Sequence, residues 1–110
     1  MSLKASQLAS QMTAAAADEL GEKWPDIRDF ARGEFKKIAA DIVLIGRLRA
    51  RKKISSKRAR LHLEMQKNAT KTVFLTVEGL GILAVEAAMN AALKTIRDAV
   101  NTAVGFVLLK

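Results

Sequence analysis

The sequence has no cysteine and no tyrosine, one proline, one tryptophan and one histidine in 110 residues. Without cysteine, disulfides, thiolate nucleophiles and Cys-ligated metals are excluded. With a single proline and six glycines there is little to punctuate the chain, and long uninterrupted stretches favour helices over short strands. Half of the residues are apolar, mostly Ala, Leu, Ile and Val, and only five per cent are aromatic. A chain of this length is read as one domain, residues 1–110, with a modest core. The expected fold class is all-α: a small helical bundle or long helical hairpin of three or four helices, completed by oligomerisation.

The opening "MSLKASQLASQM" has no contiguous apolar run after its basic residue, unlike a secretory leader, and the expected location is cytoplasmic. Residues 3–20 carry Ala5, Leu8, Ala9, Met12, Ala15, Ala16 and Leu20 on one broad helical stripe, and Gly21 suits the helix end. Pro25 fits the first turn of a second helix. In that helix Ile27, Phe30, Ala31, Ile38, Ile42 and Ile45 recur at helical spacing. Trp24, beside the turn, reads as a packing anchor.

From Ser56 to Leu109 no proline interrupts the chain. Glu64, Lys67, Lys71 and Glu78 share one side of a helix here, with Leu61, Met65, Ala69, Thr72 and Leu75 on another. From residue 86 the polar set is Glu86, Asn90, Lys94, Arg97 and Asn101, which at about 100° per residue projects where the apolar face had pointed. Between them lies "GLGILAV", residues 79–85, apolar all round. Either the helix breaks near Gly79 and Gly81, or it stays straight and changes partners. A fully apolar turn needs cover on every side, which a three-helix monomer provides poorly. The expectation is one long helix partly wrapped by a second copy, with Phe74, Val77, Leu80, Gly81, Ile82, Leu83, Val85 and Met89 at the interface. Glu86, Asn90 and Arg97 then form either a polar seam within the oligomer or a solvated face.

Catalytic chemistry finds no footing. His62 is the lone histidine, in the ordinary helical context "RLHLE", and no serine has the setting of a nucleophile. The expected protein is not an enzyme, and no residue set implies a cofactor. A ferritin-like metal site uses Glu-x-x-His, and the residue three before His62 is Ala59, so the motif is missing. Glu34 and Asp41, seven apart beside the apolar face, are the nearest approach to a carboxylate site, and pairing with cations explains them more simply. Residues 73–93 are long enough to span a bilayer, but Glu78, Glu86 and Asn90 lie inside. A central acid such as Asp costs about 3 kcal/mol on insertion, so transmembrane insertion is not expected.

The remaining feature is charge. "GRLRARKKISSKRAR", residues 46–60, holds eight cations and no acid, while the other residues balance to zero. Arg47, Arg49, Arg51, Lys52 and Lys53 complement the negative end of the second helix. Lys57, Arg58 and Arg60 do not: with Ser55 or Ser56 as an N-cap they crowd the positive end of the next helix, where acids are expected, whereas if one helix runs unbroken through 54–56 they are only a solvated flank. A local rule broken without compensation points to function. No aromatic lies between Phe35 and Phe74 to stack on bases, so binding here would be to phosphates, salt-dependent and blind to sequence. The expected partner is another copy of the chain. The alternative is a nonspecific polyanion, nucleic acid or an acidic membrane surface, held by residues 47–60.

Overall fold

The computed structural model describes residues 3–110. Among them there are four α-helices and no strand: α1 (Ala5–Leu20), α2 (Trp24–Ala50), α3 (Ser56–Leu75) and α4 (Ile82–Val104). The chain is a small all-α bundle. Its connections are short, which makes sequential helices antiparallel neighbours. With 27 residues at 1.5 Å each, α2 runs about 40 Å and spans most of the 43 Å length of the molecule. One end carries the turns at 21–23 and 76–81. The other carries the α2–α3 turn and the tail after Val104.

Local sequence explains the boundaries. α1 stops at Gly21, whose φ of +54° and ψ of −116° suit a residue without Cβ. Pro25 sits in the first turn of α2, where no backbone donor is lost. Ser55 caps α3, its Oγ accepting from the Arg58 amide at 3.1 Å.

In α2 the buried stripe is Ile27, Ala31, Phe35, Ile38, Ile42 and Ile45. Phe30, expected inside, is 53 % exposed. It lies about 100° from the centre of that stripe, at which angle only Phe35 of the two rings can enter. Phe35 meets Phe74 of α3 edge-to-face, with centroids 5.8 Å apart and planes at 82°.

α1 makes its most extensive contacts with α4 and α2. Ala9 and Ala16 on α1 and Ala88 and Ala92 on α4 are buried, small side chains that let these backbones approach closely.

The helix expected from Ser56 to Leu109 is two helices. α3 ends at Leu75, and residues 76–81 turn through Gly79, at φ +86°, into α4. An added Cβ at Gly79 would stand 3.3 Å from Lys23 Nζ, so the site favours glycine on both counts. The reversal resets the helical phase, which is why the polar residues after Glu86 do not continue those before Glu78.

It also alters the expected oligomer surface. Phe74, Leu80, Val85 and Met89 are buried by the chain's own helices, and Val77 is half-buried against the same core. A straight rod could not have been sheathed in this way, whereas a hairpin lays α4 against α1. Only Gly81, Ile82 (62 % exposed) and Leu83 (83 % exposed) of that set remain on the surface.

α3 is also turned over from its expected orientation. Its buried residues are Ala59, Leu63, Thr70 and Phe74, while the expected apolar face points to solvent, about 180° away. Leu61 and Met65 on that outer face are 61 % and 65 % exposed. The inward side uses a small residue, Ala59, and a threonine that bonds to Glu34 across the helix interface.

Candidate functional site

The eight cations of residues 47–60 gather at one end of the bundle, on the last turn of α2, the connection 51–55 and the first turns of α3. The chain breaks where the helix-dipole argument requires. α2 stops at Ala50, Lys52 takes a positive φ of +56°, and α3 starts under the Ser55 cap. Lys57 and Arg58 therefore do crowd the positive end of α3, whose first turn contains no acid. Among the described residues none of the eight pairs with a carboxylate; the ion pairs all lie elsewhere. The opposite end is acidic by contrast, with Asp18, Glu19, Glu22, Asp26 and Asp29 close in sequence around the first turn.

The eight are not equivalent. Arg49 is half-buried, donates from Nη1 to the Ile54 carbonyl at 3.1 Å, and lies 5.2 Å from the ring centroid of Phe106. Its Nε is buried with no hydrogen-bond partner. Arg60 lies 5.5 Å from the same ring and donates from Nε to the Val107 carbonyl at 2.7 Å. Both guanidiniums hold the tail through cation–π contacts with Phe106, and Arg60 also through its bond to the Val107 carbonyl. Arg47, Arg51, Lys52, Lys53, Lys57 and Arg58 are exposed and make no side-chain hydrogen bond to the protein. They form the open part of the surface. Ile54 and Ser56, half-buried, anchor the connection beneath them.

The tail that Arg49 and Arg60 hold was not foreseen from the sequence. α4 ends at Gly105 in the left-handed conformation, φ +82° and ψ 13°. Leu108 and Leu109 then fold back into the core. Asn101 fastens them: Oδ1 accepts from the amides of Leu108 (3.0 Å) and Leu109 (2.9 Å), and Nδ2 donates to the Leu109 carbonyl (2.7 Å). The readable signal was Gly105 followed by the apolar stretch "FVLL", a helix stop and then something to bury. Asn101→Ala removes all three bonds. It is expected to cost about 2 kcal/mol in urea unfolding, as unpaired polar groups do, and to speed proteolysis within residues 105–110.

The other polar candidates are occupied structurally. Glu34 is buried, bonded to Lys37 Nζ at 2.9 Å and accepting from Thr70 Oγ1 at 3.3 Å. Asp41 approaches His62 Nε2 at 3.4 Å, on α3. The two carboxylates thus take separate partners, and no three of His, Asp or Glu come together as a metal-ligand set among the described residues. Glu86 pairs with Lys71 at 3.0 Å, tying α4 to α3 near their turn. Asn90, Lys94 and Arg97 face a cleft between α3, α4 and the tail. Among the described residues no helix is long and apolar enough to cross a membrane. Set against known proteins, the chain matches no family model, no curated protein and no solved structure.

Proposed function

We propose that this chain is a non-enzymatic polyanion binder that engages arrays of phosphates through the basic end of its bundle. One observation carries the reading: six exposed cations, free of carboxylate partners among the described residues, lie on the last turn of α2, the connection after it and the first turn of α3. A solvated flank would intersperse charges of both signs and would not place Lys57 and Arg58 against a helix dipole. Each phosphate neutralised releases condensed counterions, so affinity falls steeply with salt and depends little on sequence. The test is binding of random-sequence duplex DNA and of vesicles containing phosphatidylserine, each at two salt concentrations. Nanomolar to micromolar binding at low salt that collapses by 0.3 M supports the reading, and the better ligand names the partner class. Absence of binding to either at low salt refutes it.

Self-association is a second reading, and it rests on a different surface from the one expected. Leu61, Met65 and Leu75 on the outer face of α3, with Ile82 and Leu83 beside the next turn, are large and exposed. Large apolar side chains exposed in this number are candidates for pairing between monomers. Light scattering across a hundredfold range of concentration tests it. A mass that rises toward a multiple of 12.0 kDa, and returns to one chain in a Met65→Glu/Leu83→Glu variant, supports pairing; a constant single-chain mass removes it.

A further inference from the structure

The side wall of the bundle holds a cleft of about 530 Å³ between the N-terminal half of α3, the middle of α4 and the folded-back tail. We infer that this cleft binds one small amphiphilic carboxylate, an acyl chain with an anionic head, independently of the basic end. Its apolar surface comes mainly from exposed Leu61 on α3 and half-buried Leu93 on α4, over a floor of the buried Leu63, Leu108 and Leu109. Around that surface stand Arg60, Lys67, Lys94, Arg97 and Lys110, against a single acid, Glu64. Glu64 lies 3.5 Å from Lys67, and Arg97 leans on the almost fully exposed Asp98 at 3.3 Å, a pair worth little in water. Lys94 is exposed and has no salt-bridge partner among the described residues.

Size and charge select the occupant. The volume falls in the range of small-molecule pockets, about 300–1,000 Å³. An apolar tail with a negative head satisfies both the leucines and the cations, and a neutral or cationic amphiphile satisfies only the leucines.

The experiment is calorimetric titration of the full chain with dodecanoate, decanoate and dodecyltrimethylammonium, each below its micelle concentration. Dodecanoate is expected to bind at one per chain. Decanoate should be weaker by at least about fivefold, against about 15-fold if both lost methylenes were fully buried. Dodecyltrimethylammonium should bind at least tenfold more weakly. Lys94→Glu, at an exposed position, should weaken dodecanoate by roughly tenfold or more. Lys53→Glu/Lys57→Glu/Arg58→Glu, at the basic end, should leave dodecanoate binding intact, so failure of the polyanion reading and failure of this one are told apart. Equal affinity for both head groups, uptake of many molecules without saturation, or an acidic amphipathic peptide that binds where dodecanoate does not would each overturn the inference.

Discussion

Phe74→Ala is expected to lower the unfolding free energy by about 3–5 kcal/mol, the usual cost of emptying a buried aromatic site. That is a large share of the 5–15 kcal/mol by which a domain is normally stable. Phe74 is fully buried and meets Phe35, also fully buried, in an edge-to-face pair. The pair ties the C-terminal half of α3 to the middle of α2, close to the Thr70–Glu34 bond. A double-mutant cycle with Phe35→Leu and Phe74→Leu should return an aromatic coupling of about 1 kcal/mol beyond area burial.

The same variant separates two places for Phe74. In the core of a single chain, its loss is independent of protein concentration. At a subunit interface, the apparent loss would change with concentration, because assembly contributes to stability by mass action. Urea unfolding of Phe74→Ala at 1 µM and 100 µM should give the same midpoint. A difference between native and variant stability that changes with concentration would return Phe74 to an interface.

How far the sequence disclosed this arrangement depends on what each helix packs against. α2 was legible because its inward positions are large and aliphatic, so Ile27, Ile38, Ile42 and Ile45 declare one face by spacing alone. The break at Ser55 was visible only as one of two readings: Ser55 or Ser56 could cap a new helix, but a helix running through 54–56 removed the dipole conflict equally well. α3 was not legible. Half of its buried face is Ala59 and Thr70, where close approach and a hydrogen bond replace bulk, and only Leu63 and Phe74 are large, while Leu61 and Met65 sit in water. Reading large apolar side chains as buried inverts such a helix. The turn at 76–81 was visible as a possibility in Gly79 and Gly81, but glycine in an apolar run serves equally for close packing within a helix. Deciding between them required knowing that α1 and α2 could cover α4. For the candidate site, position was legible and division of labour was not: eight cations look alike in sequence, and only the fold-back of Phe106 commits Arg49 and Arg60 to structure.

That division makes a charge reversal at the basic end unusually informative. The variant Lys53→Glu/Lys57→Glu/Arg58→Glu changes three exposed residues and avoids Lys52, whose positive φ restricts what can replace it. Lys57 and Arg58 occupy the first turn of α3, and Arg58 is the third residue after the Ser55 cap. Glutamate there complements the dipole, and Arg58→Glu also completes a capping box with Ser55. Each favourable charge contributes about 0.3–1 kcal/mol, so the variant is expected to be more stable than the native chain by about 1 kcal/mol. Binding should move the other way. With up to six free cations in contact, the native slope of log K against log salt is expected near −4 to −5, and removing three contacts should flatten it by about 2.7. Affinity for duplex or anionic vesicles at 0.1 M salt should fall by roughly a hundredfold or more, since repulsion replaces attraction at three positions. A protein that gains stability while losing its ligand cannot have lost it through unfolding, and the cations at the head of α3 then stand as charges kept at a cost to the helix. Unchanged affinity in a stabilised variant would reduce the basic end to a solvated corner.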